Sequence, residues 1–423
     1  MSDETQPHHA RLPERGRPWE ELRDAIQGLR RDDLDWRHGR HSALIWYADD
    51  DVERVSSEAF GMFLVENGLG LRFFPSPRRM EDVVAIGREL LGGDDGVCGH
   101  MTSGGTESLF LAAHAAHAAR EWARRRQPTV VRPEVVVPGS AHPAIDKAAH
   151  YLGMDVVRVP VRANFRADSV AMEAAITPAT VMLCASAPTY SLGVVDPIAQ
   201  VGEVAARHGL WFHVDACVGG ILAPFAREIG VAVPAFAFDV PGVTSVSADL
   251  HKSGFTPKGA STVLFRSAER QEVGVFHFDG WPSGRYSTRT FTGTRPGGAI
   301  AASWAILNFL GREGYRRIAG TVMATRARLL AGLAAIGGVH VWGDPELWAL
   351  GYGLEGGDIF AVADRLESQS WHVARIREPR GIHLMITPVH ARSVDEYLVA
   401  VADAARQVRA TGERSAVDAV YWS

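Results

Sequence analysis

Between residues 101 and 265 the chain alternates short apolar, β-branched runs with helical patterns, and no other feature limits its fold as tightly. The runs are "TVVRPEVVVPG", "MDVVRVPV", "ATVMLCASAP", "GLWFHVDACVGG", "VTSVSAD" and "ASTVLFRS". A strand that is apolar along its whole length has to be covered on both faces, so these runs predict an α/β fold with a mostly parallel sheet between helices. After "GTRPGG" (residues 293–298) comes a long helical stretch. Shorter strand candidates follow, "VHVWGD", "LWALGYGL" and "IHLMITPV", enclosing one more helix near residues 358–368. That order suits a smaller α+β domain. Before about Arg40 the chain is charged and Pro-containing, with a short helix predicted over residues 19–29, which reads as an arm that wraps a partner subunit. The expected division is an N-terminal arm over residues 1–60, a large domain over 61–300 and a small C-terminal domain over 301–423.

Composition removes several classes of function. A chain of 423 residues that is 46% hydrophobic can bury a large core. Its net charge of -5 and lack of a basic stripe argue against nucleic acid as a partner. The three cysteines, Cys98, Cys184 and Cys217, have no CxxC spacing, so neither a disulfide framework nor a metal site is expected, and a reducing cytoplasm fits. The polar start and the absence of any run near ~18 apolar residues predict no signal peptide and no membrane span.

Three stretches carry chemistry. In "HMTSGGTESLFLAAHAAHAAR" (residues 100–120) a Gly pair runs into Thr, Glu, Ser and a long helical pattern, so free backbone N–H groups meet a helix N-terminus; this suits a phosphate, and equally a capped turn. In "WFHVDACVGG" Asp215 ends an apolar strand, where open α/β sheets meet their ligands, although such an Asp also serves as a strand terminator. In "SADLHKSGFTPKG" (residues 247–259) Lys252 follows another strand that would end on the same edge, among Gly and Pro. A lysine fixed there can form a Schiff base with an aldehyde cofactor. Pyridoxal phosphate requires such a lysine, a phosphate cradle and an acid for its pyridine nitrogen. A carboxylate about 4 Å from the pyridinium, at an effective dielectric of ~20, contributes about 4 kcal/mol toward keeping the ring protonated.

With these stretches in this order, the chain resembles the group II decarboxylase and sphingosine-phosphate lyase branch of the fold-type I pyridoxal-phosphate enzymes, and within it the lyases. "TSGGTES", "HVDACVGG", "SADLHKSGFTPKGAS" and "TGTRPGG" carry the resemblance, which runs from about Ser42 to Tyr421. Cys217 and the second lysine, Lys258, favour the lyases over the amino-acid decarboxylases. The resemblance implies a seven-stranded, mostly parallel sheet in the large domain and a homodimer with shared active sites. It implies Lys252 as the Schiff-base lysine, Asp215 on the pyridine nitrogen and His142 stacked on the ring. Ser103, Gly104, Gly105, Thr106 and His251 would hold the phosphate, with Gly293 and Thr294 reaching it from the second subunit. Alone, His142 reads as a helix-capping or core histidine.

The implied reaction is a retro-aldol cleavage between the α-carbon and a hydroxyl-bearing β-carbon, releasing an aldehyde. Such a step needs a base for the hydroxyl proton. Lys258 suits that role or contact with a substrate anion, and equally a solvated loop lysine. The sequence departs from the lyases in one place. Where they hold the substrate phosphate with a Tyr, a His and a Tyr or His, the stretches "HSALIWY", "NGLGLRFFP" and "TYSLG" place Trp46, Gly70 and Leu192, with Tyr190 beside the last. Arg72, new at an acidic position of the pattern, suits a substrate carboxylate or an ordinary surface ion pair. The expected partner is therefore a small amine or amino acid, with the substrate altered. An amino-acid decarboxylase, or a cofactor-binding interaction protein without catalysis, are the competing readings.

Overall fold

The computed structural model describes residues 12–69, 73–80, 82–124 and 132–420. Seven strands form the main sheet: β1 (Cys98–Thr102), β2 (Glu134–Pro138), β3 (Asp155–Val159), β4 (Thr180–Ser186), β5 (Trp211–Asp215), β6 (Ser245–Ala248) and β7 (Ser261–Phe265). Their order is β1-β7-β6-β5-β4-β2-β3. β7 runs antiparallel to both of its neighbours, and the four other pairings are parallel. Every residue of β4, β6 and β7 is buried, the pattern expected of strands covered on both faces. β1 was not among the sequence runs, because "CGHMT" is short and polar; the sheet decides its state by pairing it along all five residues with β7.

Covering the sheet on one face is the helix Gly105–Arg124, whose Ala112, Ala113, Ala115 and Ala116 are buried, as are Ala144, Ala148 and Ala149 of the facing helix Ala144–Leu152. Small side chains on both helices let them approach closely. The predicted helix after "GTRPGG" spans Gly297–Ala334, with a break at Gly311 (φ 53°, ψ -173°), a backbone geometry that only glycine adopts readily.

β8 (Phe276–Phe278) and β9 (Tyr286–Thr288) form a separate hairpin. Farther along, β10 (Val339–Val341), β11 (Ala349–Leu354), β12 (Ala374–Ile376) and β13 (Gly381–Met385) form an antiparallel sheet in the order β10-β11-β13-β12, packed by the helices Ile359–Ser368 and Val394–Thr411. The N-terminal segment fastens to this small sheet: Ser42 O accepts from Met385 N–H at 2.6 Å and Ser42 Oγ from Ala374 N–H at 2.7 Å. The helix Trp19–Leu29 lies at the predicted position and buries none of its residues.

Candidate active site

Parallel pairing brings the chemistry-bearing stretches to one edge. Ser186, Asp215 and Ser247 are register partners across β4, β5 and β6, so the segments leaving those strands start side by side. β1 and β2 run in the same direction. The Gly turn 103–105 follows β1, His142 follows β2, Tyr190 follows β4, Asp215 ends β5 and Lys252 follows β6. A carboxyl edge of this kind is where open α/β sheets bind ligands.

The lysine loop is held rigidly. Ser253 Oγ donates to Val218 O at 2.8 Å, and the buried Tyr315 hydroxyl, from the long helix, donates to Gly254 O at 3.0 Å. Lys252 Nζ lies 2.9 Å from Asp249 Oδ2, a carboxylate 1% exposed. Burial disfavours the ammonium, but Asp249, with Asp215 behind it, outweighs that and raises the Lys252 pKa above its ordinary value. Burial likewise opposes the Asp249 charge, and the Lys252 ammonium overcomes it.

Asp215 rests on a polar lattice below the edge. Its Oδ1 accepts from Cys217 N–H at 3.1 Å and from the Ser247 hydroxyl at 3.5 Å, leaving Oδ2 to accept from a further donor. Ser247 in turn meets Cys217 Sγ and His213 Nε2, each at 3.2 Å. Burial pushes the Cys217 thiol well up, so it stays protonated. His142 accepts from Ala144 N–H at 3.2 Å, and its ring meets the Tyr190 ring edge-on at 5.9 Å. Burial lowers its pKa, against the pull of Asp215, and keeps a flat neutral ring there.

At the Gly turn, a Cβ on Gly105 would lie 2.7 Å from Cys217 Sγ and 2.9 Å from Asp249 Oδ2, and one on Gly104 would touch His251 Cε1 at 3.3 Å. Side chains there would fill the space between the turn and the lysine loop. Glu107, in the first turn of the helix, was not singled out in the sequence. Its Oε2 accepts from Ser103 N–H and from the Ser103 hydroxyl, each at 2.6 Å; its Oε1 accepts from Phe291 N–H at 2.8 Å and Thr292 N–H at 3.3 Å. Ser103 is thus engaged by Glu107, while Gly104, Gly105 and Thr106 open the helix. The loop carrying Gly293 and Thr294 is tied down beside the same chain's Gly turn, and Thr294 Oγ1 also accepts from Asn67 Nδ2 at 3.3 Å.

A lysine, a paired acid, a flat neutral ring and a glycine cradle at a helix N-terminus are the parts that pyridoxal phosphate requires, and they converge here. The residues fit that group.

The substrate side is assembled from several segments. Lys258 Nζ contacts Leu44 O at 3.5 Å and His251 O at 3.4 Å, so the N-terminal segment meets the lysine loop at Leu44. Although Lys258 is exposed at the rim, desolvation by the surrounding protein and the charge of Lys252 pull its ammonium down to about 8. Trp46 packs on the apolar core, and Leu192 is buried against β11, where a Cβ on Gly351 would be 2.6 Å from it. Tyr190 lies between His142 and His383 of β13, the latter at 4.6 Å. His383 escaped the sequence reading because it lies in an ordinary-looking strand; its Nδ1 bonds Ser191 O at 3.0 Å. Gly70 and Arg72 lie outside the described residues.

Comparison with known proteins agrees with this geometry. The profile described as "Pyridoxal-dependent decarboxylase conserved domain" matches residues 78–350. A sphingosine-1-phosphate lyase of Arabidopsis thaliana is 37% identical over 399 residues, covering 92% of this chain and 72% of that one. Sphingosine-1-phosphate lyase 1 of Rattus norvegicus is 36% identical over 383 residues, covering 90% of this chain and 66% of that one. Among solved structures, a sphingosine-1-phosphate lyase of Burkholderia pseudomallei superposes with a TM-score of 0.90 at 34% identity, covering 95% of this chain and 94% of that one. A glutamate decarboxylase of Lactobacillus brevis shares the fold, with a TM-score of 0.83 at 19% identity and 96% of each chain covered. The chain belongs to the pyridoxal-dependent decarboxylase family and is a pyridoxal-phosphate-dependent lyase resembling sphingosine-1-phosphate lyase.

Proposed function

We propose that the protein cleaves a carbon–carbon bond of an amino alcohol or β-hydroxy amino acid, and that its substrate differs from a phosphorylated long-chain base. The observation that carries this reading is the contrast between the converged cofactor parts and an apolar rim. Trp46 and Leu192 are packed into apolar surroundings where the lyase pattern has phosphate-binding side chains, and Lys258 remains.

Lys252 is assigned as the lysine for the cofactor aldehyde, Asp215 as the partner of the pyridine nitrogen and His142 as the ring against its face. Gly104, Gly105, Thr106 and His251 are assigned to the phosphate, with Ser103 braced by Glu107. When bound, the cofactor supplies the electron sink for the pair released as the bond breaks. Asp215 keeps that sink charged through its free oxygen. Lys258 takes the β-hydroxyl proton at Nζ, which its low pKa suits. Tyr190, held between two histidines, and Arg72 are assigned to the substrate side. Decarboxylation stays the second reading, since which bond breaks depends on how this rim orients the substrate.

The division into arm, large and small domains is retained as proposed. So are a cytoplasmic location, consistent with three free cysteines, and a homodimer in which Gly293 and Thr294 reach the neighbouring site. Trp19 and Leu29 on the fully uncovered first helix are 60% and 81% exposed, which supports its packing on a second copy. Among the described residues no helix is long and apolar enough to cross a membrane.

The purified protein would be offered phosphoethanolamine, a phosphorylated long-chain base, α-amino acids and β-hydroxy amino acids, with aldehyde and carbon dioxide measured separately. Aldehyde from unphosphorylated hydroxyl-bearing amines supports the proposal. Aldehyde from the phosphorylated base alone overturns the altered substrate, and carbon dioxide alone selects the decarboxylase.

A further inference from the structure

Asp249 of "SADLHK" has no part in the assignments above, yet it is the group that Lys252 touches. The carboxylate is 1% exposed. Its Oδ1 accepts from the Ser261 hydroxyl at 2.5 Å, its Oδ2 meets Lys252 Nζ at 2.9 Å, and His251 Nε2 lies 3.5 Å away. His251 Nδ1 accepts from Ala260 N–H at 3.3 Å, so the neutral ring presents Nε2–H to Asp249. The site has also made room for this carboxylate, since a Cβ on Gly105 would lie within 3.0 Å of both its oxygens.

We propose that Asp249 is the resident counter-ion of Lys252, a positioning residue that holds the amine charged and in place in the cofactor-free protein and so sets the pH at which the lysine can react. This rests on Lys252 being the cofactor lysine. Other groups facing Lys252 are His251 and Lys258 on its own loop, Asp215 and Cys217 at the end of β5, and His142 at the start of the helix Ala144–Leu152. Burial keeps Cys217 protonated and both histidines neutral, and Asp215 acts more weakly than the carboxylate in contact.

For Nζ to react it gives up its ammonium proton to solvent. The neutral amine then forms a C=N bond to the aldehyde carbon, and its two hydrogens leave with the aldehyde oxygen as water. Once the ammonium charge is gone, Asp249 Oδ1 still accepts from the Ser261 hydroxyl, and His251 Nε2 stays 3.5 Å from Oδ2.

The test uses the 423-residue chain stripped of cofactor. Pyridoxal phosphate is added at several values between about pH 6.5 and 9.5, and capture is timed by borohydride trapping and intact mass. In the wild type the rate should climb about tenfold per pH unit without levelling. Asp249→Asn should shift the profile to lower pH, with capture near pH 7 faster by at least about tenfold. Ser261→Ala, which keeps the carboxylate but removes its hydroxyl donor, should not move the profile to lower pH. An Asp249→Asn profile that superimposes on the wild type overturns the proposal, as does a wild-type rate already flat above about pH 7. If Asp249→Asn does not fold, Asp249→Ser takes its place, with the same expected shift of the profile to lower pH. Peptide mapping separates the two ideas: label on a lysine other than Lys252 overturns the lysine assignment, whereas label on Lys252 with an unmoved profile overturns only the counter-ion.

Discussion

Asp215 and Ser247 are register partners on adjacent strands, whereas Trp46 and Leu192 come to the same edge from segments outside the sheet. The first pair is placed by backbone hydrogen bonds of a buried, twisted sheet, in which a slip of one residue would turn every side chain over. The second pair is placed by packing of the N-terminal segment and the β4 loop against the core and the small sheet, where one apolar side chain can replace another at little cost. The cofactor side of this enzyme therefore has little freedom to vary. The side proposed for the substrate has much more.

Substitutions on the two sides should differ in kind as well as size. Lys252→Ala should abolish trapping of pyridoxal phosphate by borohydride altogether, read by intact mass, with the fold retained by circular dichroism. Asp215→Asn removes an interaction of about 4 kcal/mol with the pyridinium, so turnover should fall by roughly a thousandfold while the trapped mass still forms. Residual turnover near that of the wild type would mean that the ring nitrogen is not what Asp215 serves.

Lys258→Met should cost roughly 10²- to 10⁴-fold in kcat. Because a base works in its neutral form, and the Lys258 ammonium titrates at about 8, the wild-type rate should rise with pH through that value, and the variant should lose this limb. A pH profile unchanged in Lys258→Met would return Lys258 to a binding role. On the rim, Trp46→Tyr should leave cofactor capture untouched and improve the response to a phosphorylated amine by roughly ten- to a hundredfold, the scale of one added hydrogen bond to an anion. A loss of cofactor affinity instead would erase the division between the two sides.

Much of the cofactor side was legible before any coordinates. Lys252, Asp215 and the Gly turn lie in motifs that suit a cofactor, although the latter two suit a strand end and a capped turn equally, and His142 is raised only by the family resemblance; the unbroken apolar runs "EVVVP" and "STVLF" imply strands covered on both faces. Glu107, Asp249 and His383 were not read as functional, each for a physical reason. Glu107 looks like an ordinary acidic residue in a first helical turn, and its partners Phe291 and Thr292 are 184 and 185 residues away. Asp249 is three residues from Lys252, but sequence spacing does not say whether a loop folds the two side chains together. His383 sits in a strand of the small sheet, and no local pattern reveals that its ring packs on Tyr190 from β4's loop.

The sequence by itself determined the mostly parallel sheet and the edge to which the motif residues would come, because periodicity and residue type are local properties of the chain. Tertiary structure alone decided that β1 is a strand, that Ser103 is engaged by Glu107 and that Lys252 rests against a buried carboxylate. It also brought Leu44 to the lysine loop. Those outcomes depend on which distant segments share a buried space, where a charge or a hydroxyl must find a partner to offset its loss of water.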